Sequence, residues 1–215
     1  MTRSDFVGRL GENRLVPVIE IDRSEDAVPL ADALLEGGLP IIEITFRTGA
    51  AAECIRQVRA HFPEMLVGAG TIVTWEQAEQ AAEAGSQFLV SPGFEPSLAQ
   101  KVAQRGLPYL PGIATASDLQ GALAAGFGTC KFFPAEQSGG VPVLKTFAAT
   151  FRAFGPRFVP TGGVQLNNLE LWFQEPSVLA VGGSWLALPQ WVRDQDWEAI
   201  RESVATSVRI VRHLR

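Results

Sequence analysis

Cysteine and histidine are scarce in this chain, and lysine is hardly commoner. Its two cysteines, Cys54 and Cys130, cannot make a disulfide framework. With only His61 and His213 as histidines, a histidine-based metal site or a histidine base has little support, and neither a metal nor an organic cofactor is called for. No run approaches the roughly 18 apolar residues of a membrane span, and the opening MTRSDFVGRL lacks the apolar centre of a secretory signal. A cytoplasmic protein without membrane attachment is therefore expected. At a net charge of −5 the chain has no lysine- and arginine-rich stripe interleaved with aromatics, which argues against nucleic acid as a partner.

What is present reads as an ordinary globular protein, 47% hydrophobic and 19% charged over 215 residues. Eight short apolar runs predict strands at 15–21, 40–45, 65–69, 87–91, 108–112, 129–133, 157–161 and 178–182. Helical patterns lie between them, the first a short helix at 2–10 and the last at about 196–213. Thr74-Trp75-Glu76-Gln77 has the form of a capping box and fixes one helix start. Near-continuous apolar strands alternating with helices indicate a parallel sheet covered by helices. Eight such units predict a single (β/α)8 TIM barrel, parallel and eight-stranded, over 1–215. No GxGxxG follows the first strand, which disfavours an open dinucleotide-binding sheet.

Within this frame, GTCKFFPAE (128–136) holds a lysine inside a run that should be buried. The chain keeps only three lysines, Lys101, Lys131 and Lys145, against fifteen arginines. Four helix–strand junctions share a glycine resembling a helix C-terminal cap: Gly38, Gly85, Gly106 and Gly126. Counting from each, the fifth following residue is Glu43, Val90, Pro111 and Lys131. Strand side chains alternate faces, so equal offsets predict equal facing, and Glu43 and Lys131 should meet in one interior layer.

Desolvation disfavours a charged amine, and a neutral lysine can form a Schiff base with a carbonyl. Arginine cannot be deprotonated and could not take that part. The competing interpretation is a purely structural ion pair between Lys131 and Glu43. Lys101 and Lys145 fall in helical patterns and are assigned to solvent. A carboxylate beside an imine can move protons, and Arg47, just past the same strand, could clamp a substrate carboxylate. The loops after the last two strands carry Thr161-Gly162-Gly163 and Gly182-Gly183-Ser184, suited to phosphate held by backbone N–H groups. Gly68-Ala69-Gly70-Thr71 and Ser91-Pro92-Gly93 leave room for a ligand at neighbouring strand ends. The tryptophans Trp172, Trp185, Trp191 and Trp197 are assigned to packing.

The series VPVI (16–19), IEITFRT (42–48), VGAGT (67–71), FLVSPG (88–93), LPGI (110–113), KFFPAE (131–136), PTGG (160–163) and GGSW (182–185) resembles the 2-keto-3-deoxy-6-phosphogluconate aldolases. The resemblance implies a class I aldolase of the Entner–Doudoroff pathway. Such an enzyme cleaves 2-dehydro-3-deoxy-6-phosphogluconate to pyruvate and glyceraldehyde 3-phosphate, often acts on 4-hydroxy-2-oxoglutarate too, and is commonly a homotrimer. Lys131 would be the Schiff-base lysine and Glu43 the general acid/base. Arg47 and Thr71 would hold the carboxylate end, Pro92 and Phe133 would line that pocket, and Thr161 would contact the sugar-acid hydroxyls. Gly162, Gly163, Gly183 and Ser184 would receive the phosphate. Many relatives carry a basic residue where this chain has Glu20, which is expected instead to pair with Arg23 or Arg47. The alternatives are the C4-epimeric 6-phosphogalactonate aldolase and, from another class, a phosphosugar isomerase or epimerase.

Overall fold

The computed structural model describes residues 1–214; Arg215, the last residue of the expected domain 1–215, lies outside them. Helix starts follow their side chains. Thr2 opens α1 (Arg3–Asn13), Thr74 opens α4 (Trp75–Glu83) and Thr115 opens α6 (Ala116–Ala124), each in a full capping box. These caps satisfy amides that would otherwise lack partners at the helix N-termini. At the other ends the four glycines of the sequence repeat are all left-handed, with φ of +88° at Gly38, +94° at Gly85, +74° at Gly106 and +84° at Gly126. A side chain there would be strained, so each marks the turn from helix back to strand.

All strand pairings are parallel, as the apolar runs predict. The strands are β1 (Leu15–Ile19), β2 (Ile41–Thr45), β3 (Leu66–Gly70), β4 (Phe88–Val90), β5 (Tyr109–Leu110), β6 (Gly112–Ile113), β7 (Thr129–Phe132), β8 (Arg157–Pro160) and β9 (Val181–Gly183). The expected closed eight-stranded TIM barrel is not what they form. Six strands make one open sheet in the order β5-β4-β3-β2-β1-β9, and β6-β7-β8 make a separate three-stranded sheet.

The division has a local cause. The single strand expected at 108–112 breaks at Pro111, which has no N–H to give a neighbour. Before it, Leu110 pairs with Val90; after it, Gly112 pairs with Lys131. The Gly112 N–H goes to the Ser91 hydroxyl at 3.3 Å rather than to a strand carbonyl. Between β8 and β9 only isolated bridges form, Phe158 to Val178 and Thr161 to Gly182.

The remaining helices are α2 (Ala27–Glu36), α3 (Ala51–His61), α5 (Pro96–Arg105), α7 (Gly140–Thr150), α8 (Leu169–Phe173), α9 (Pro189–Asp194) and α10 (Trp197–His213). The sequence pattern missed the short α9, whose start is set by Pro189. Near the strand starts, Phe6 of α1 is buried and stacks on Phe88 of β4 at 4.8 Å. Gly68 makes room for that ring, since a Cβ there would lie 2.2 Å from it. Phe88 begins β4, so this stack packs the sheet on the side where α1 covers its strand starts.

Candidate active site

Lys131 and Glu43 meet as the glycine repeat predicts. Lys131 is on β7 and Glu43 on β2, only 5% and 2% exposed, with Nζ donating to Oε1 at 3.1 Å. Two charges this deep are retained only because each is the other's partner, and removing either would strand the remaining one. Gly70 on β3 lets the carboxylate lie there, because a Cβ at that position would fall 2.2 Å from Oε1. The Phe133 ring centroid is 5.4 Å from Nζ.

A cavity of about 140 Å³ opens over Lys131 at the strand ends. Its wall includes Arg47, Thr71, Pro92, Phe133, Thr161, Gly162, Gly163, Gly183 and Ser184, so every substrate- or phosphate-contacting residue expected from sequence is brought to one place. Glu43 stands behind the lysine rather than on that wall. Val18 and Val164 also line the cavity, and sequence reasoning did not single them out. Val18 pairs in register with Glu43 across β1 and β2, and Val164 directly follows the glycine pair, so both were traceable from neighbours already chosen.

Bonds to backbone carbonyls hold the loop that carries Arg47. Phe46 N–H donates to Gly70 O at 2.8 Å and the Thr48 hydroxyl to Ile21 O at 2.6 Å, pinning both ends of the loop that carries Arg47. The Arg47 side chain is half exposed and lies 3.6 Å from Glu20, while Arg23 turns instead to Asp26 at 2.9 Å. An exposed pair of this kind contributes under about 1 kcal/mol, so an incoming anion can displace it. Thr71 adopts φ +58°, a genuine outlier for a β-branched residue. Strain of this sort, on the order of 1–3 kcal/mol, concentrates at functional sites.

The glycine loop is equally constrained. Gly162 and Gly163 have φ of +94° and +80°, conformations that side chains resist. Among the described residues, the amides of Gly163, Val164 and Ser184 have no hydrogen-bond acceptor, although all three residues face the cavity. Unpaired N–H groups on the same wall as Lys131 and Arg47 are the kind of donor set that suits an anion. Both cysteines lie outside this site, and burial pushes each thiol up to about 12, which makes them inert packing groups. Among the described residues no three of His, Cys, Asp and Glu gather in a metal-binding arrangement.

A buried lysine–carboxylate pair opening on a cavity lined by cationic side chains and N–H donors is the equipment of an imine-forming lyase. Residues 7–203 match the family model for KDPG and KHG aldolase, and the chain belongs to that family. A 2-dehydro-3-deoxy-phosphogluconate aldolase of Treponema pallidum is 45% identical, covering 92% of this chain and 93% of its own. The KHG/KDPG aldolase of Escherichia coli is 39% identical, covering 90% of each. Among solved structures, the KDPG aldolase of Legionella pneumophila, with pyruvate captured as a covalent carbinolamine intermediate, aligns at a TM-score of 0.90 and 35% identity, covering 94% of this chain and 97% of that one.

Proposed function

We propose that this chain, acting as one unit over 1–215, is a class I aldolase. Its reaction is cleavage of 2-dehydro-3-deoxy-6-phosphogluconate to pyruvate and glyceraldehyde 3-phosphate, the carbon–carbon lyase step of the Entner–Doudoroff pathway, with 4-hydroxy-2-oxoglutarate as a second substrate. The buried contact of 3.1 Å between Lys131 Nζ and Glu43 Oε1 carries this reading. An isomerase or epimerase has no need of an amine in that position.

The chemistry follows from the pair. Proton transfer from Lys131 to Glu43 leaves a neutral amine, which adds to the C2 keto carbon of the substrate. Glu43 returns its proton to the carbinolamine oxygen, water leaves, and a protonated imine remains. As the C4 hydroxyl loses its proton to Glu43 through one water, the C3–C4 bond breaks and its electrons pass to the imine nitrogen. The aldehyde departs, C3 of the enamine is reprotonated, and water releases pyruvate and regenerates the lysine. Arg47 and Thr71 hold the keto-acid carboxylate, and Pro92 and Phe133 pack against the pyruvate portion. Thr161 meets the hydroxyls, and Gly162, Gly163, Gly183 and Ser184 receive the phosphate.

Borohydride added with pyruvate should trap a covalent adduct that digestion and mass spectrometry place on Lys131. Active protein carrying no adduct there would refute the mechanism. Lys131→Arg keeps the charge and should abolish turnover. Pyruvate release from the two C4-epimeric phosphorylated acids, measured side by side, tests the gluconate preference. Among the described residues no helix is long and apolar enough to cross a membrane. The family resemblance supports a homotrimer, to be checked by sedimentation equilibrium, and the cytoplasmic location expected from the sequence is to be checked by cell fractionation.

A further inference from the structure

Asn168 ends the short 3₁₀ turn Leu166–Asn168 ahead of α8 and lies outside the cavity wall. Its side chain makes three hydrogen bonds. Nδ2 donates to Gly163 O at 3.0 Å and to Glu136 Oε1 at 3.3 Å, and Oδ1 accepts from Gln165 N–H at 2.8 Å. One side chain thus grips the loop on both sides of Val164. A second anchor comes from the segment after Lys131: Ala135 N–H donates to Thr161 O at 2.8 Å and Glu136 N–H to Gly162 O at 3.0 Å.

These bonds determine where the unpaired amides point. In a trans peptide the C=O and the following N–H are directed oppositely in one plane. Tying Gly162 O to Glu136 therefore turns the Gly163 N–H the other way, and tying Gly163 O to Asn168 does the same for the Val164 N–H. Glycine at 162 and 163 permits this backbone path but does not choose it, because glycine reaches left-handed and right-handed regions about equally well. At Gly163 the carbonyl that fixes this direction is held by Asn168.

We infer that Asn168 is a positioning residue for the phosphate end of the substrate, acting through the Gly163 carbonyl to aim the Val164 amide at the anion. The inference rests on the aldolase reading above. Asn168→Ala removes all three bonds; Asn168→Asp keeps the acceptor for Gln165 but sets a carboxylate against the Gly163 carbonyl and Glu136. Both variants should raise KM for the phosphorylated keto acid about tenfold, the effect of one lost hydrogen bond. Inhibition by inorganic phosphate should weaken by a similar factor. Borohydride trapping with pyruvate, kcat, and KM for unphosphorylated 4-hydroxy-2-oxoglutarate should stay as in the wild type. A KM rise shared equally by both substrates, or a lower melting temperature with both KM values unchanged, would reduce Asn168 to a helix cap and overturn the inference while leaving the aldolase reading intact. Wild-type protein that cleaves the two substrates with equal kcat/KM would remove the phosphate site and this role with it. Failure of wild-type protein to form the pyruvate adduct would remove the aldolase reading itself.

Discussion

Gly70 leaves Glu43 its place: with a Cβ 2.2 Å from Oε1, the carboxylate would have to swing away from Lys131. Two substitutions should therefore converge. Glu43→Gln keeps shape but not basicity and should lower kcat by about 10²–10⁴-fold, the usual contribution of general acid–base catalysis. Gly70→Ala keeps the carboxylate but displaces it, and should approach the same loss while circular dichroism stays native. A fully active Gly70→Ala would show that the 3.1 Å contact is dispensable. The lysine–glutamate pair was legible in the sequence because glycine caps fix strand phase, and phase decides facing. That Glu20 would pair with a loop arginine was legible from charge alone, but the choice of Arg47 over Arg23 was not, because Arg23 turns to Asp26. Asn168 was not legible, since its effect passes through a backbone carbonyl, and no residue type announces that its neighbour's carbonyl needs holding.

Among the elements, α4 offers the cleanest test of local sequence control. Thr74 accepts from Gln77 N–H, and the Gln77 side chain returns the bond to the cap backbone, as the four-residue motif predicts. Thr74→Ala should cost about 1 kcal/mol in chemical denaturation without altering kcat, because the cap lies on the covering layer. A neutral effect would mean that the rest of the fold, rather than the cap, sets that helix start. Element type was readable from apolar periodicity and glycine position except at α9, whose six residues are too few to show a period. The connectivity of the sheet was not: PYLPG looks like one buried strand, and only the structure shows Tyr109 and Leu110 serving β4 while Gly112 and Ile113 serve β7. A proline's missing donor marks a weak point in a ladder, but which neighbour each half then follows depends on residues far away in sequence.

Across the whole molecule, alkaline stability should report the buried core. Burial pushes the phenol of Tyr109 up to about 12, although its bond to Ser91 partly opposes this. An unfolded chain would release that proton near 10, so rising pH favours unfolding. The contribution, about 3 kcal/mol, is complete below about pH 10 and lost as pH climbs through the folded value. The thiols of Cys54 and Cys130, also raised to about 12 from 9.0, add in the same direction. As the chain has one tyrosine, ultraviolet phenolate absorbance reads this residue alone. Phenolate appearing near pH 10 in folded protein would contradict the burial. The stitching of the segment after Lys131 to the glycine loop, Ala135 to Thr161 O at 2.8 Å and Glu136 to Gly162 O at 3.0 Å, has a consequence of another kind. Under the proposed mechanism it makes the distance between the Lys131 nitrogen and the proposed phosphate loop a fixed ruler, built into neighbouring strands β7 and β8. Phosphorylated keto acids with one carbon fewer or more between ketone and phosphate should then react on the order of 10²-fold more slowly. Their covalent capture by borohydride at saturating concentration should persist, because mismeasured substrates still reach the amine but cannot rest both ends at once.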